Sequence, residues 1–125
     1  MKICITSEGK VLDSKVDPRF GRCQNFIFFD TDTGNFEAQE NTSFQFQGGA
    51  GIQSGQLVVS KGVKVVLTGN VGPNAHQVLS AAGVSVFTGV SGTVKEAIEG
   101  YKNGKYKAVD APSVSSKFGM PGKDN

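Results

Sequence analysis

Two consecutive segments, residues 65–82 and 84–101, repeat one order of elements: a short apolar strand and then an amphipathic helix. The uninterrupted run Val65-Val66-Leu67 is typical of a strand that is covered on both faces of a sheet. Strands that alternate with helices are usually parallel neighbours joined by right-handed crossovers. The second half of the chain therefore predicts an α/β fold built on parallel strands.

The first half of the chain instead predicts three strands with no helix between them. β-rich runs occupy residues 2–6, 25–30 and 36–40, and a hairpin-like turn signal separates the last two runs. Helical patterns start near Ile52, Pro73 and Thr93, and the last one opens with a capping box of Thr93 and Glu96. The predicted order is β-β-β-α-β-α-β-α, with a mixed five-stranded sheet between helices on both faces.

Length and composition limit the organisation and the class of protein. The 125 residues suit one compact domain, which we expect over residues 1–107, before a Ser-, Pro- and Gly-rich tail over 108–125 that is ordered only in part. A net charge of +2 does not indicate a nucleic-acid partner, and no apolar run approaches the roughly 20 residues of a membrane helix. Two cysteines without a CxxC spacing predict free thiols in a reducing cytoplasm.

The predicted topology brings several glycine-containing loops to one edge of the sheet. If strands one, three, four and five run in one direction, the loops after them all leave at their carboxyl edge, where open α/β sheets bind ligands. Three of these loops, at residues 41–51, 69–73 and 89–93, open helices. Helix N-termini carry unpaired N–H groups and partial positive charge. This edge is therefore predicted to bind an anion, and glycine lets the ligand approach the backbone.

The long loop after the first strand adds Arg19, Arg22 and Cys23 to the same edge. Two guanidinium groups and a thiol suit a large anion with sulfur or metal character. We expect the positive surroundings to lower the pKa of Cys23 and favour its thiolate, which makes Cys23 the candidate metal ligand. The alternatives are that Cys23 packs the loop and that one of the two arginines pins the loop to Asp13 or Asp17. We expect Arg22 to be structural in part.

Other residues of interest favour structural roles. Cys4 lies inside a central strand and is expected in the core. His76, the only histidine, lies near the start of the second predicted helix, and we expect it to pack or face solvent rather than act as a ligand. One Cys and one His cannot complete a four-ligand zinc site. Gly49, Gly51 and Gly55 lack the spacing and context of a dinucleotide fingerprint. Neither a nuclease carboxylate cluster nor a Ser-His-Asp triad is supported.

Four motifs in this order resemble the dinitrogenase iron–molybdenum cofactor biosynthesis family, which includes NifX- and NafY-type carriers and the C-terminal domain of NifB-type proteins. The motifs are FGR at 20–22, GGAGIQ at 48–53, GNVGPNA at 69–75 and GVSGTVKEAI at 89–98. The resemblance covers residues 1–107. It implies a ribonuclease-H-like α/β/α fold with sheet order 3-2-1-4-5 and an antiparallel second strand. The chain lacks the His that members often carry before the first helix, and it lacks the His-rich tail of some members.

The resemblance also implies transient, non-catalytic binding of an iron–sulfur or iron–molybdenum cluster precursor. We therefore predict a carrier or nitrogen-fixation accessory protein rather than an enzyme, acting with other cofactor-assembly proteins as a monomer or weak homodimer. Two alternatives remain: a sensor or enzyme for a phosphate-bearing small molecule at the same edge, and an interaction module of a larger complex. The residues predicted to hold the cluster are Arg19, Arg22, Cys23, Gly49, Gly51, Gly69, Gly72, Gly89 and Gly92, with Cys23 as the metal ligand.

Overall fold

The computed structural model describes residues 1–43 and 49–114, and the elements named here are those of this part of the chain. The strands are β1 (Lys2–Ser7), β2 (Asn25–Asp30), β3 (Phe36–Glu40), β4 (Val65–Leu67), β5 (Ser85–Phe87) and β6 (Ala108–Val109). The helices are α1 (Ala50–Ser60), α2 (Pro73–Ala81) and α3 (Val94–Lys102). The predicted loop at 41–51 and the predicted tail at 108–125 lie partly outside the described residues.

All described strands belong to one mixed sheet with the order β3-β2-β1-β4-β5-β6. β1 pairs in parallel with β4 and β4 with β5, whereas β2 is antiparallel to both β1 and β3. The predicted strand directions are thus confirmed.

The predicted number of strands is wrong, because the sheet has six strands and not five. β6 pairs antiparallel with β5, with Val109 opposite Val86, inside the segment that we assigned to the tail. Two residues are too few to show a strand pattern. Antiparallel pairing with the backbone of β5, at the edge of the sheet, makes these two residues a strand. The ribonuclease-H-like classification stays an expectation.

Alternating side chains divide the apolar residues between the two faces of the sheet. Cys4 lies in one buried cluster with Val58 of α1 and Leu79 of α2. Ile3 and Ile5 lie in the other cluster with residues of α3. The sheet therefore has α1 and α2 on one face and α3 on the opposite face. All three helices begin near the edge where β4 and β5 end, because α2 and α3 follow these parallel strands and α1 begins against α2. None of the helices in the described residues has the length and hydropathy of a membrane-spanning segment.

Candidate functional site

The Arg19 loop, residues 17–24, is organised by the carboxylate of Asp17, whose side chain is 1% exposed. Oδ1 of Asp17 accepts hydrogen bonds from the backbone N–H of Arg19 at 3.1 Å and from Nε of Arg19 at 3.2 Å. Oδ2 accepts from the backbone N–H of Gln24 at 3.3 Å. One carboxylate thus fixes both ends of the loop. The arginine that pins the loop through its side chain to this carboxylate is Arg19.

The guanidinium of Arg19 stays charged in this setting. Its hydrogen bond to Asp17 raises the pKa of Arg19 above its ordinary value, and the negative charge of Asp17 adds to the effect. The side chain of Arg19 remains 37% exposed, so part of it is available to solvent and to a ligand.

The Arg19 loop lies directly against the loop that precedes α2. The backbone N–H of Asn70 donates to the carbonyl of Pro18 at 2.8 Å, and that of Phe20 donates to the carbonyl of Asn70 at 3.2 Å. A Cβ atom on Gly69 would lie 2.6 Å from Cα of Pro18, so only glycine permits this approach. Arg19 is therefore held beside the start of α2.

The starts of α1 and α2 are adjacent to each other and to the Arg19 loop. A Cβ on Gly51 would lie 3.3 Å from the backbone N of Ala75, and a Cβ on Gly21 would lie 3.2 Å from Cα of Gly51. The N-cap residues, Gly49 and Gly72, have no side chain that accepts a hydrogen bond from the first turn. Helix geometry leaves the first N–H groups without intrahelical acceptors. We call this region the open edge: the Arg19 loop, the loop at 69–72 and the first turns of α1 and α2.

The start of α3 differs from this arrangement, and it corrects the expectation of three open helix N-termini. The backbone N–H of Val94 donates to the carbonyl of Ser14 at 2.8 Å, and that of Lys95 donates to the carbonyl of Leu12 at 2.9 Å. The predicted capping box is confirmed, since the N-cap side chain accepts from the N–H of Glu96 at 3.1 Å. The chain itself therefore satisfies the first turn of α3.

Gly89 and Gly92 lie in the loop that leads to α3. The carbonyl of Gly92 accepts from the N–H of Val16 at 2.8 Å, which joins Gly92 to the capped corner. The N–H of Gly89 donates to the carbonyl of Gly69 at 2.9 Å, so Gly89 borders the open edge. Of the glycines predicted to bind a ligand, Gly49, Gly51, Gly69 and Gly72 lie in the open edge.

Cys23 lies behind the open edge and is fully buried. Burial raises the pKa of its thiol, and the negative charge of Asp17 raises it further. The expected lowering of the Cys23 pKa is therefore wrong, because the loop turns the thiol into the core and places a carboxylate near it. Cys4 is also fully buried, in the same core cluster, as predicted.

Two polar residues that support the open edge were missed from the sequence. Asn41 is fully buried, and its Nδ2 donates to the carbonyls of Gly21 at 3.2 Å and Cys23 at 2.8 Å. Ser113 accepts from the N–H of Val71 at 2.8 Å through its hydroxyl. A polar residue directly after β3 is a weak signal for Asn41, and nothing in the sequence indicates Ser113.

The remaining candidates lie around these elements. Arg22 is partly exposed, and its backbone N–H donates to the carbonyl of Arg19 at 3.1 Å. His76 is partly exposed in the first turn of α2, where its N–H makes an intrahelical bond to Gly72 at 3.0 Å. Among the described residues, no group of three or more His, Cys, Asp and Glu side chains is arranged to hold a metal ion. The open edge thus offers N–H groups and a guanidinium.

Comparisons with solved structures agree with this fold. The apo form of the orange protein from Desulfovibrio gigas is 38% identical, with a TM-score of 0.88, over 90% of this chain and 96% of that one. A candidate NifB protein from Thermotoga is 41% identical, with a TM-score of 0.80, over 90% of this chain and 97% of the other.

Sequence comparisons identify the family. The uncharacterized protein MJ0580 of Methanocaldococcus jannaschii is 30% identical over 96 residues, which are 74% of this chain and 81% of that protein. The family model described as dinitrogenase iron–molybdenum cofactor matches residues 1–104. The chain therefore belongs to the dinitrogenase iron–molybdenum cofactor family.

Proposed function

We propose that this protein binds an anionic iron–sulfur or iron–molybdenum cluster, or its precursor, at the open edge and does not transform it. The observation that carries the proposal is the contact between two helix starts with glycine N-caps, beside the loop whose Arg19 carries a charged guanidinium. Helix N-termini and a guanidinium favour an anion. The cluster is then cargo of cytoplasmic cofactor assembly, received from and passed to other assembly proteins.

The donors at the open edge suit an anion that is held by hydrogen bonds and charge. Cluster sulfides and oxo groups are acceptors, and backbone N–H groups and guanidinium are donors only. Cys23 is buried, and its raised pKa opposes the thiolate form that binds metals. We therefore propose that the cluster is captured mainly through N–H groups and Arg19, with Arg22 as a second cation of the same loop.

Anaerobic titration with tetrathiomolybdate, an anionic metal–sulfur ion, tests this function. We expect saturable binding, co-elution of the chromophore with the protein in gel filtration, and affinity that weakens with salt. Replacing Cys23 by Ser separates the two modes of binding, since capture by charge survives this change and thiolate ligation does not. A wild-type protein that elutes without chromophore contradicts the proposal.

Phosphate groups also fit helix N-termini, so a second candidate function is a sensor or enzyme for phosphate-bearing small molecules. A series of ligands at equal concentrations distinguishes the two functions. Thermal unfolding is followed with tetrathiomolybdate, inorganic phosphate, nucleotides and sugar phosphates at equal concentrations. A ligand that binds the folded state raises the Tm in a concentration-dependent way. A larger shift with a nucleotide or sugar phosphate would favour a sensor or enzyme for phosphate-bearing molecules.

A further inference from the structure

The side chain of Arg19 bonds to Asp17 through two of its nitrogen atoms, Nε and Nη2. A guanidinium has five N–H donors in a fixed planar fork. Asp17 accepts from Nε at 3.2 Å and from Nη2 at 3.4 Å. The remaining donors belong to a group whose plane is fixed by these two bonds, and the side chain is 37% exposed.

Asp17 is itself held rigidly. Its side chain is 1% exposed, and both oxygens accept backbone N–H groups, from Arg19 and from Gln24. The backbone next to it is fixed to the loop before α2 through Pro18 and Asn70. A buried acceptor with this many partners has one orientation, and it transmits that orientation to the guanidinium.

We infer that Asp17 is a positioning residue of the open edge, one that aims the guanidinium of Arg19 at an anionic metal–sulfur ligand. This inference rests on the proposed function. The ligand contacts Arg19, and Asp17 acts through Arg19 without touching the ligand. Arg19 binds as an oriented donor, which costs less ordering on binding than a mobile surface cation does.

If Asp17 acted only through its charge, removing that charge would change ligand affinity in the opposite direction. The direction of the change in affinity therefore tests the inference. Asp17 is a negative group near a site for an anion, so its removal strengthens binding if only charge matters. If Asp17 positions Arg19, its removal weakens binding, although the net charge becomes more positive. Asp13 provides the matched control, because it is exposed and precedes Asp17 in the same long loop after β1.

The first measurement is anaerobic titration of the full chain with tetrathiomolybdate. We expect Asp17→Asn to weaken binding by about tenfold, the scale of one lost charge-assisted hydrogen bond. Asp13→Asn should change binding by less than about twofold, because an exposed charge is screened. Tighter binding by Asp17→Asn overturns the inference.

Arg19→Lys is the second variant, and it decides the question if Asp17→Asn does not fold. Lysine keeps the charge but has a single ammonium group, which cannot reproduce the two-point contact with the carboxylate. A loss of about tenfold, on the same scale as above, supports positioning when the wild-type Nε–H of Arg19 also exchanges slowly with water in the measurement below. Binding equal to that of wild type overturns the inference and leaves the proposed function intact.

The second measurement needs no ligand and separates this inference from the proposed function. In NMR spectra of the free protein, Nε–H of Arg19 should exchange slowly with water in wild type and in Asp13→Asn. In Asp17→Asn it should exchange as fast as that of an exposed arginine. If wild type does not bind tetrathiomolybdate, the proposed function fails, and the exchange rate still supports or overturns the fixed orientation.

Discussion

The helices α2 and α3 follow parallel neighbouring strands and begin at the same edge of the sheet, yet only α2 begins at a glycine N-cap. The N-cap of α2, Gly72, has no side chain to accept from the first turn. The N-cap of α3, Thr93, forms a complete capping box with Glu96. Topology thus brings helix N-termini together, whereas capping determines which of them has N–H groups for a ligand.

The two helix starts also have different neighbours. The first N–H groups of α3 donate to the carbonyls of Ser14 and Leu12, which lie in the long loop after β1. The later part of that loop contributes Arg19 beside α2. This loop thus supplies acceptors for the first N–H groups of α3 and places a positively charged residue next to the loop before α2. This division is why we assign binding to the open edge.

The free energy of unfolding should fall most when the close approach of the Arg19 loop to Gly69 is disturbed. Gly69→Ala places a methyl group 2.6 Å from Cα of Pro18, and backbone cannot move as a flexible side chain can. We expect the free energy of unfolding to fall by about 3 kcal/mol, as for other overpacked sites. Urea unfolding followed by circular dichroism measures it.

Gly89→Ala is the control, in the neighbouring loop that leads to α3. Gly89 has a φ of +73° and nothing within 4 Å of its Cβ position, so alanine there meets only backbone strain. We expect a cost of about 1 kcal/mol. A larger loss for Gly89→Ala than for Gly69→Ala would contradict the steric account of the open edge.

The next prediction concerns how the free energy of unfolding depends on pH. The core behind the open edge contains two buried thiols, those of Cys4 and Cys23. Burial raises the pKa of Cys4 and of Cys23, and Asp17 adds to the shift at Cys23. An unfolded chain loses these thiol protons near pH ~8.5, whereas the folded chain keeps them. The stability from each thiol is therefore full below about pH 8.5 and falls above it, by up to about 1.4 kcal/mol per pH unit.

Cys23→Ser should roughly halve this thiol-dependent slope, because one of the two buried thiols no longer titrates. The free energy of unfolding is measured in urea at several values from about pH 7 to about pH 10, and slopes are compared rather than absolute stabilities. The two proteins differ only at residue 23, so a difference between their slopes isolates the contribution of the Cys23 thiol. Equal slopes in wild type and Cys23→Ser would show that the folded state does not raise the pKa of Cys23.

The smallest effect comes from exchanging the capping of the two helices. Gly72 has a φ of −85° and extended backbone, so serine fits its conformation. Gly72→Ser should stabilise the protein by a few tenths of a kcal/mol and weaken tetrathiomolybdate binding, because its hydroxyl occupies an N–H group. Thr93→Ala should cost about 1 kcal/mol and leave binding unchanged. Equal binding changes in the two variants would remove the distinction between open and closed ends.

Much of the fold could be predicted because it depends on local pattern. The apolar run at Val65–Leu67 and the helical spacing after Pro73 gave the parallel units, and the capping box at Thr93 gave the start of α3. β6 escaped prediction, since two residues carry no periodicity. Within the site, the positions of Arg19 and the glycines at the edge followed from strand direction, but their partners did not.

The amino-acid sequence was enough to predict the order of elements from β1 to α3, the directions of the predicted strands and the loops that share an edge. These follow from side-chain periodicity, glycine and proline chemistry and the handedness of crossovers, all of which act within short stretches of chain. Long-range packing, by contrast, determines that the first turn of α3 is capped by the chain, that Asp17 holds Arg19 and that Cys23 is buried. Those outcomes depend on how the long loop after β1 packs, including contacts such as that of Leu12 with Lys95, which no local pattern encodes.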